Sequence, residues 1–516
     1  MIRNIDEGKR RFCRSLVGCG LGRILTWPGA GRAVLALAGT AGVAGCADET
    51  LHADVVVVGG GGAGLAAAVS AAERKLRVIL LEKEAAFGGN TAISTGLFAA
   101  VDPVRQKKQG IEDSEELYAE QMLQSGRGKS DPKLVRTLAH EAPSTLHWLE
   151  SMGLRFSDEL IESYGSHWVR DHRPLTANGL GYVRVLVTQA MRMGVDLRTN
   201  APVVNILTDE NGTVAGVRVL KTPASADATK RRDVKDGKNE YVDVLARYGV
   251  ILASGGFGAN PDMVAQYAPN LADLTTDNAP GNTGEMIVEA SRIGAALRDM
   301  SEIQCLPGCP KGRTHRVRLH TDVSRFIMVD HDGKRFVRED GRRDDLRDAV
   351  LALPERYAFS IVDNRGLESH NILVQKETVI GVETGDAFRA DTLEELARKI
   401  GVPAANLKES VGTYNRAVST KRDPFGRDPM NLIHEIKTPP FWACLAGMTI
   451  HTTMGGIAID EHARVLDGSG RPIPKLYAAG ETTGGVHGAN RLGAHGLPDA
   501  LTFGRIAGKT IGTVGL

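Results

Sequence analysis

The chain of 516 residues is long enough for two lobes, and its 42% of hydrophobic and 24% of charged residues are typical of a soluble globular enzyme. A formal net charge of +1 argues against nucleic acid and against an anionic membrane surface as partners. The 60 glycines exceed average usage and indicate many tight turns, as around a bound ligand.

The first 46 residues resemble an export signal rather than part of a fold. A basic run at residues 9–14 (KRRFCR) precedes an apolar stretch that ends in small residues. The run resembles a twin-arginine signal, which exports proteins already folded around a cofactor. Residues 43–46 (VAGC) also resemble a lipoprotein cleavage box, which makes Cys46 a candidate for a lipid anchor. We expect a periplasmic or otherwise exported protein, with or without that anchor; the alternative is a basic extension on a cytoplasmic protein.

A complete βαβ pattern follows this leader. Residues 53–58 (ADVVVV) predict a buried parallel strand, residues 65–74 an Ala-rich helix and residues 77–81 a second strand that ends at Glu82. The turn between the first strand and the helix carries the pattern G-x-G-x-x-G, at Gly59, Gly61 and Gly64. Strand, glycines, helix, strand and acid in this order predict a dinucleotide-binding unit.

Each part of the unit has a physical role. Gly59 permits the tight turn, Gly61 lets the backbone approach the pyrophosphate, and Gly64 allows close helix packing. The helix N-terminus offers free N–H groups and a positive dipole end to the phosphates. Glu82 can accept hydrogen bonds from the ribose hydroxyls.

Two further segments favour FAD over NAD. Residues 88–96 (GGNTAISTG) follow the acid, and residues 476–481 (LYAAGE) predict a small-residue strand that ends on an acid suited to hold a ribityl chain. Segments at opposite ends of the sequence suit a long dinucleotide that lies extended through the domain. We therefore predict FAD.

Three cysteines, Cys305, Cys309 and Cys444, lie beyond the leader. Cys305 and Cys309, with His315 and His320 downstream, could form a redox or metal site, but the gap between the pairs is shorter than the roughly 12 residues of a zinc finger. Two unpaired thiols near a loop are the favoured interpretation, with no metal. The sequence contains no C-x-x-C-H motif for haem attachment.

Several blocks of the sequence match one known pattern. They are residues 59–64 with Glu82, 88–91, 170–174 (RDHRP), 252–257 (LASGGF), 282–285 (NTGE), 333–344 (GKRFV to RD), 451–456 (HTTMGG) and 480–493. Together they resemble the fumarate reductase/succinate dehydrogenase flavoprotein superfamily, and most of all its soluble branch of flavocytochrome-type fumarate reductases and urocanate reductases. The resemblance runs from about residue 54 to the C-terminus.

The resemblance implies an α/β fold in which a Rossmann-like FAD-binding domain is split by an inserted α+β capping domain. We expect the first part of the FAD domain at residues 54–302, the cap at residues 303–450 and the second part at residues 451–516. Membrane-bound relatives attach FAD covalently to a histidine, and none stands beside Gly89-Asn90-Thr91. We therefore expect FAD to be bound non-covalently.

By the same resemblance, a set of positions should contact FAD. The set is Gly59, Gly61, Gly62, Ala63, Gly64, Glu82, Lys83, Gly89, Asn90, Thr91, Ser94, Thr95, Gly96, Val203, Ala253, Ser254, Gly255, Glu285, Thr452, Glu481, Gly496 and Leu497.

The resemblance also implies the reaction, the transfer of a hydride from reduced flavin to a C=C bond that a carboxylate activates. Such chemistry needs cations that hold the carboxylate and a proton donor on the opposite face. His451 and Arg491 would hold the carboxylate, and Arg343 would donate the proton. Singly, Arg343 could be a surface charge and His451 a satisfied buried histidine; within matching blocks the functional interpretation is favoured.

A proton donor with a pKa above about 12 needs a relay that restores its proton. The family uses a carboxylate and a second arginine upstream, and the equivalent stretch here is residues 318–325 (RLHTDVSR), which lacks them at that spacing. His320 or Asp322 could substitute. The sequence leaves the relay open.

The substrate pocket departs from fumarate reductases at two places. Their H-P-T segment holds the second carboxylate through its histidine, and Leu306 stands at that position here. Ala494-His495 replaces the usual Gly-Asn near the expected flavin ring, so Ala494 and Leu306 are expected to contact the substrate. One remaining carboxylate clamp predicts a 2-enoate with an apolar or aromatic far end, such as urocanate or a cinnamate-like acid, rather than fumarate.

Electrons must reach this protein from outside, because the sequence shows neither a haem motif nor a second flavin domain. A separate donor protein such as a cytochrome is implied. Two other functions stay open: a dehydrogenase of the 3-ketosteroid type, and a flavin electron carrier without its own catalysis. His451 and Arg491 argue against the first, since a steroid needs no carboxylate clamp, and replacement of Arg343 would test the second.

Overall fold

The computed structural model describes residues 50–176, 178–221, 240–313, 315–370 and 372–513. The expected export signal at residues 1–46, including Cys46, lies outside these ranges. Within them, no helix is both long enough and apolar enough to cross a membrane.

The strands of the described residues form four sheets. In chain order they are β1 Thr50–Val58, β2 Val78–Leu81, β3 Phe98–Ala99, β4 Phe156–Ile161, β5 Asp171–Pro174, β6 Asp196–Arg198, β7 Val203–Thr208, β8 Val214–Leu220, β9 Tyr241–Leu252, β10 Thr275–Thr276, β11 Leu297–Arg298, β12 Ile303–Gly308, β13 Ile327–Val329, β14 Ala358–Val362, β15 Ala387–Ala390, β16 Phe441–Thr453, β17 Gly456–Ala458, β18 Arg464–Leu466, β19 Pro472–Ala478 and β20 Thr483–Gly484.

The helices cover both faces of the main sheet and one side of a second sheet. They are α1 Gly62–Glu73, α2 Gly89–Ile93, α3 Pro103–Lys108, α4 Glu115–Ser125, α5 Pro132–Ser151, α6 Leu180–Arg192, α7 Pro261–Tyr267, α8 Glu285–Arg292, α9 Arg343–Leu351, α10 Asn364–Ser369, α11 Ile372–Thr384, α12 Leu393–Ile400, α13 Ala404–Thr420 and α14 Gly496–Thr510.

The main sheet has eight strands, and its centre is parallel. β1 lies between β2 and β9, β19 adds to the far side of β9, and β7 and β8 extend the sheet as an antiparallel pair. The side chains of Val55, Val56 and Val57 are fully buried, which is typical of a parallel strand covered on both faces. The predicted α/β fold with a Rossmann-like unit is confirmed.

The predicted βαβ elements appear with small shifts. The first strand begins at Thr50 rather than residue 53, and α1 begins at Gly62 rather than residue 65. The helix starts earlier because the glycines themselves form its first turn: the Leu65 N–H donates to the Gly61 carbonyl. The phosphate-binding turn is therefore shorter than the sequence predicted.

A second sheet has six strands and lies in the region where we expected the cap. Its long central strand, β16, pairs with β10, β12, β14 and β15, and β13 pairs with β14. A hydrophobic cluster separate from the main core lies beneath it and includes Phe359, Leu396 and Leu407. β12 begins at Ile303, and β16 continues past residue 450, so one strand passes from the expected cap directly into the segment that carries His451.

Candidate active site

The glycine-rich turn after β1 brings two backbone segments into contact. Gly59 has φ +103°, and a Cβ at Gly64 would stand 1.9 Å from the Gly59 carbonyl oxygen. A Cβ at Gly61 would meet only the Gly88 carbonyl oxygen, at 3.9 Å. Gly64 therefore allows α1 to pack on the turn, while the backbone at Gly61 borders open space of the kind that a pyrophosphate requires.

Glu82 lies buried at the carboxyl end of β2. Its two carboxylate oxygens accept hydrogen bonds from the Gly60 N–H at 2.7 Å and from the Glu84 N–H at 2.8 Å. Burial raises its pKa, although both backbone donors act in the opposite direction. This geometry fixes the acid beside the turn, where a ribose of the dinucleotide would lie.

Glu481 connects distant parts of the sequence at the opposite end of the site. Its carboxylate accepts hydrogen bonds from Asn90 Nδ2 at 2.9 Å, Thr452 Oγ1 at 3.0 Å and the Thr453 N–H at 3.1 Å. Asn90 also accepts a hydrogen bond from the Ala279 N–H at 2.7 Å. One acid thus joins the segment after β2, the end of β16 and the segment after β19.

The other positions with expected FAD contacts lie at neighbouring turns and strand ends. Lys83 donates to Glu285 at 2.8 Å, and the Gly62 N–H donates to Thr91 Oγ1 at 3.0 Å. The rest begin helices, follow strands, lie between α2 and β3 or begin β7: Ala63, Gly89, Ser94, Thr95, Gly96, Val203, Ala253, Ser254, Gly255, Gly496 and Leu497. Open space at Gly61, an acid at each end and the N-terminus of α1 between them fit an extended FAD.

Arg343 is the first residue of α9 and is buried, with 6% of its surface exposed. Its Nη1 donates to Gln304 Oε1 at 2.9 Å, and its Nη2 donates to the Tyr164 carbonyl oxygen at 2.5 Å. The guanidinium carbon also lies 5.3 Å from the centre of the Tyr164 ring. Arg343 is therefore held by neutral groups.

Gln304 joins Arg343 to Arg491. Its Nε2 donates to the Arg491 carbonyl oxygen at 2.8 Å, while its Oε1 accepts from Arg343. Arg491 is buried and its Nη1 donates to the Leu492 carbonyl oxygen at 3.2 Å. Neither Arg343 nor Arg491 forms an ion pair with any residue that the structure describes.

His451 lies at the end of β16 and contacts Asp277. Its Nδ1 is 3.1 Å from the Asp277 carboxylate, which also pairs with Arg316 at 3.1 Å. Burial lowers the pKa of His451, and the positive charges of Arg491 and Arg343 lower it as well. The Asp277 carboxylate raises this pKa but does not outweigh them. The pKa of Asp277 falls despite burial because of His451 and Arg316.

The two arginines of the site are destabilised as cations. Burial and then the charge of Arg343 lower the pKa of Arg491, to about 9. Burial also lowers the pKa of Arg343. Buried cations that lack carboxylate partners are suited to an anionic ligand, which would supply the missing charge.

The two expected contacts at the substrate's far end have different surroundings. Leu306 lies partly buried on β12, opposite Thr449 of β16 and two residues beyond Gln304. Ala494 has φ +60°, a region that favours glycine, and its carbonyl oxygen accepts from the Ala99 N–H at 3.3 Å.

Neither candidate for the proton relay contacts Arg343. His320 is buried, and burial followed by the charge of Arg316 lowers its pKa to about 3. Asp322 pairs with Arg325 at 3.2 Å. The described hydrogen bonds of Arg343 go to Gln304 and Tyr164 instead.

The three cysteines after the leader are buried free thiols. Burial raises the pKa of Cys305 to about 12. Over the described ranges, no group of three or more His, Cys, Asp or Glu side chains is arranged to hold a metal ion.

Three residues of the site carried no motif of their own: Gln304, Tyr164 and Asp277. Gln304 stands two positions before Leu306, so its place beside the substituted segment was the available signal. Asp277 lies 174 positions before His451, and only the folded structure brings the two together.

A family model described as an FAD binding domain matches residues 54–497. The chain belongs to this FAD-binding family. The match covers most of the main sheet, the second sheet and the start of α14, and it supports FAD as the cofactor.

Several curated relatives are similar over most of the chain. A probable fumarate reductase, Ifc3, of Shewanella frigidimarina is 35% identical over 84% of this chain and 70% of the relative. The urocanate reductase of Eggerthella lenta is 34% identical over 89% of this chain and 74% of the relative. The acrylate reductase flavoprotein subunit of Shewanella woodyi is 32% identical over 84% of this chain and 85% of the relative.

Solved structures share the fold. The open conformation of a flavocytochrome c3 fumarate reductase superposes with a TM-score of 0.71 at 34% identity, over 90% of this chain and 78% of that one. A 3-ketosteroid-Δ4-(5α)-dehydrogenase from Rhodococcus jostii RHA1 also gives 0.71, at 26% identity, over 90% of this chain and 97% of that one. The membership in the fumarate reductase-like flavoproteins that the sequence indicated is therefore confirmed.

Proposed function

We propose that this protein is an FAD-dependent reductase of the C=C bond of an α,β-unsaturated carboxylate. The observation that carries the proposal is the pair of buried arginines, Arg343 and Arg491, which lack ion-pair partners in the described structure and are joined through Gln304. Relatives named as reductases of fumarate, acrylate and urocanate support the reaction class.

Arg491 and His451 bind the carboxylate of the substrate. The planar guanidinium of Arg491 suits bidentate binding, and its buried position strengthens the interaction. The Nδ1–H of His451 donates to Asp277, so its Nε2 can donate to a substrate carboxylate only when the ring is protonated. The carboxylate itself favours that protonated form.

Arg343 donates the proton on the face opposite to the flavin. When bound, reduced FAD supplies the hydride for the carbon β to the carboxylate. Gln304 and Tyr164 orient the guanidinium of Arg343 toward the neighbouring carbon, and burial lowers its pKa so that the proton is released more readily. The two arginines thus stabilise the negative charge that develops on the carboxylate, and Arg343 then protonates the neighbouring carbon.

The substrate carries one carboxylate and an apolar or aromatic far end. Leu306 supports this, because an aliphatic side chain cannot pair with a second carboxylate, and burying that charge without a partner is costly. Acrylate, cinnamate and urocanate satisfy the description, whereas fumarate does not. Ala494 lies beside β3 and would border the ring of the flavin and the substrate.

The remaining partners follow from what the chain contains. FAD is bound non-covalently, because no histidine stands beside Gly89, Asn90 and Thr91. Electrons come from a separate donor, such as a cytochrome. The signal at residues 1–46 exports the folded protein to the periplasm, and Cys46 is the candidate site of a lipid anchor. The name of the acrylate reductase flavoprotein subunit is consistent with a flavin chain that works beside another subunit.

The test is reoxidation of the reduced protein. FAD is confirmed by absorbance, the protein is reduced with dithionite, and fumarate, acrylate, cinnamate, urocanate and a 3-ketosteroid are added separately. We expect rapid reoxidation by at least one monocarboxylic enoate and slower reoxidation by fumarate.

Two results would contradict the proposal. Reoxidation by fumarate faster than by every other enoate would overturn the prediction drawn from Leu306. If no acid reoxidises the protein, the carboxylate clamp of His451 and Arg491 is wrong. The steroid is included because of the structural similarity to the 3-ketosteroid dehydrogenase, and a response to it alone would favour that class.

A further inference from the structure

Arg343 needs a proton source that its own contacts do not provide. Each turnover removes one proton from its guanidinium, and its hydrogen bonds go to the Gln304 amide oxygen and the Tyr164 carbonyl, neither of which can return it. The Tyr164 phenol is a poor source, because burial raises its pKa to about 12. A second acid must therefore lie near.

Asp171 is a buried acid on the other side of the loop that holds Arg343. It is the first residue of β5 and is fully buried. Its Oδ2 accepts hydrogen bonds from the Ser163 N–H at 3.0 Å and from Ser163 Oγ at 2.5 Å. The negative charge of Asp171 also acts on Arg343, where it raises the pKa against burial.

The loop of residues 163–166 connects the two side chains. Its first residue, Ser163, donates hydrogen bonds to Asp171, while the next residue contacts Arg343 through the Tyr164 carbonyl. A Cβ at Gly165 would stand 2.9 Å from Arg343 Nε, so the loop presses closely on the guanidinium.

Three buried atoms at this loop have no hydrogen-bond partner in the described residues: Arg343 Nε, a donor, Asp171 Oδ1, an acceptor when ionised, and the Tyr164 hydroxyl, whose high pKa makes it the poorer proton source. Buried polar atoms are usually satisfied, by protein or by ordered water. A donor and an acceptor left over on either side of one short loop are suited to exchange a proton, directly after a small movement or through one water molecule.

We propose that Asp171 is the acid that returns the proton to Arg343. The Arg343 guanidinium gives one proton to the substrate carbon and becomes a neutral guanidine. The protonated Asp171 carboxyl gives its proton to that guanidine, which leaves a carboxylate. The carboxylate recovers a proton from solvent through the hydroxyl of Ser163, which is only partly buried. One solvent proton enters by this route for each C=C bond reduced, and the second hydrogen arrives as the hydride.

The surroundings of Asp171 decide how this step depends on pH. Burial raises the pKa of Asp171 to about 7, against the hydrogen bonds from Ser163 and the charge of Arg170. The titratable groups that face it are Arg170, which pairs with Asp113 at 2.7 Å, Tyr118 of α4, Tyr164 and Arg343. Asp171 therefore holds its proton below about pH 7 and loses it above, so turnover should fall as the pH rises through that value.

The experiment compares wild type, Asp171→Asn and Asp158→Asn as holoproteins with the best enoate of the panel. Asp158 is a matched control, since it is an exposed acid of the adjoining strand β4. Turnover is measured from pH 5.5 to 9, and the affinity for the saturated acid is measured from the flavin absorbance. We expect Asp171→Asn to lower kcat at pH 6 by about 10- to 100-fold, to abolish the fall above pH 7 and to leave the affinity within about twofold. Asp158→Asn should match wild type.

A second variant distinguishes the loss of the acid from structural damage at residue 171. Asp171→Glu retains an acid, so it should recover part of kcat together with the pH dependence. The inference is wrong if Asp171→Asn keeps the wild-type profile, or if both variants lose affinity and kcat in parallel with no change in the profile's shape. The inference rests on the proposed function: inactivity of the wild type with every enoate would remove both, whereas an active wild type with an unaffected Asp171→Asn removes only the inference.

Discussion

Two groups of buried arginines in this protein differ in what surrounds them. In the second sheet's region, Arg335 and Arg427 hold the Glu339 carboxylate between them, with a shortest N–O distance of 2.7 Å on each side. At the proposed active site, Arg343 and Arg491 have only neutral contacts in the described structure. The four arginines are similarly buried, but only the first two have carboxylate partners.

The pKa values follow this difference. Burial lowers the pKa of each arginine, but the Glu339 carboxylate, joined at Arg335 by Asp423 at 2.6 Å, outweighs burial and raises the pKa of Arg335 and Arg427. Without such a partner, the pKa of Arg343 falls and that of Arg491 drops to about 9. The first group is neutralised within the fold. The second retains charges that lack a described carboxylate partner, which makes it the candidate for binding an anionic ligand.

The largest effect should come from Arg343→Gln. Glutamine keeps a hydrogen-bonding side chain but cannot donate a proton to carbon, so kcat should fall by about 10²- to 10⁴-fold. FAD content and affinity for a saturated acid should remain, because the described hydrogen bonds of Arg343 go to Gln304 and Tyr164 and not to Glu82 or Glu481. Stopped-flow reoxidation and absorbance titration measure the two properties.

Arg342→Gln is the matched control for that variant. Arg342 is the preceding residue and pairs with Asp344 at 2.8 Å, away from Gln304. Its replacement should leave reoxidation unchanged. Wild-type turnover by Arg343→Gln would instead identify an electron carrier or a different proton donor.

Breaking the paired group should affect stability rather than chemistry. Glu339→Gln leaves two buried guanidinium groups without their shared carboxylate, and the loss of such a partner costs about 3–5 kcal/mol of unfolding free energy. The pKa of Glu339 is lowered despite burial, by Arg427 first and then Arg335, so its contribution is present at neutral pH and is lost as the pH falls below the usual range of a glutamate.

Urea unfolding of the holoprotein at pH 7 measures this effect. Glu394→Gln removes an exposed carboxylate paired with Lys408 and should hardly move the midpoint. Loss of turnover in Glu339→Gln without a lower unfolding midpoint would show that the paired group also serves catalysis, and would remove the contrast between the two groups.

How far the sequence predicted these features depends on the range of the interactions. The nucleotide unit followed from local patterns, since strand, glycines, helix and Glu82 lie within about 30 consecutive positions. The family blocks placed Arg343, His451 and Arg491. Arg335 and Glu339 also lie within the block at residues 333–344, but nothing in the sequence linked them to Arg427.

The parts that sequence reasoning missed depend on contacts between distant segments. Asp171 and Arg343 are linked only through the loop after β4, which bonds to Asp171 at Ser163 and to Arg343 at Tyr164, and Gln304 reaches Arg491 across 187 positions. The sequence offered His320 and Asp322 as candidates to return the proton because they precede Arg343 by about 20 positions. Their described contacts, however, do not include Arg343.

A smaller effect is expected from Arg491→Lys. Lysine keeps the charge but loses the planar pair of donors that binds a carboxylate on two sides. A charged hydrogen bond contributes about 1.5–3 kcal/mol, so KM for the enoate should rise about 10- to 100-fold with a smaller change in kcat. Arg464→Lys, at a partly buried pair with Asp460 in the β18 region, is the control. An unchanged KM would mean that Arg491 does not bind the carboxylate.

The smallest effect should come from Asp277→Asn, which acts through His451. Asp277 raises the pKa of His451 against burial and the two arginines, so its neutralisation should lower that pKa further. Because Nε2 of His451 can donate to the substrate only while the ring is protonated, KM should rise as the pH passes upward through the pKa of His451, and this rise should begin at a lower pH in the variant.

A pH series of KM for wild type and Asp277→Asn measures the displacement, with kcat as the internal reference. Arg316 would lose its partner in the same variant, so Arg316→Gln is needed beside it. If Arg316→Gln moves the KM profile in the same direction and as far, the ion pair rather than the charge of Asp277 sets the position of His451. If neither moves it, His451 binds the substrate as a neutral ring, and the unpaired arginines alone hold the carboxylate.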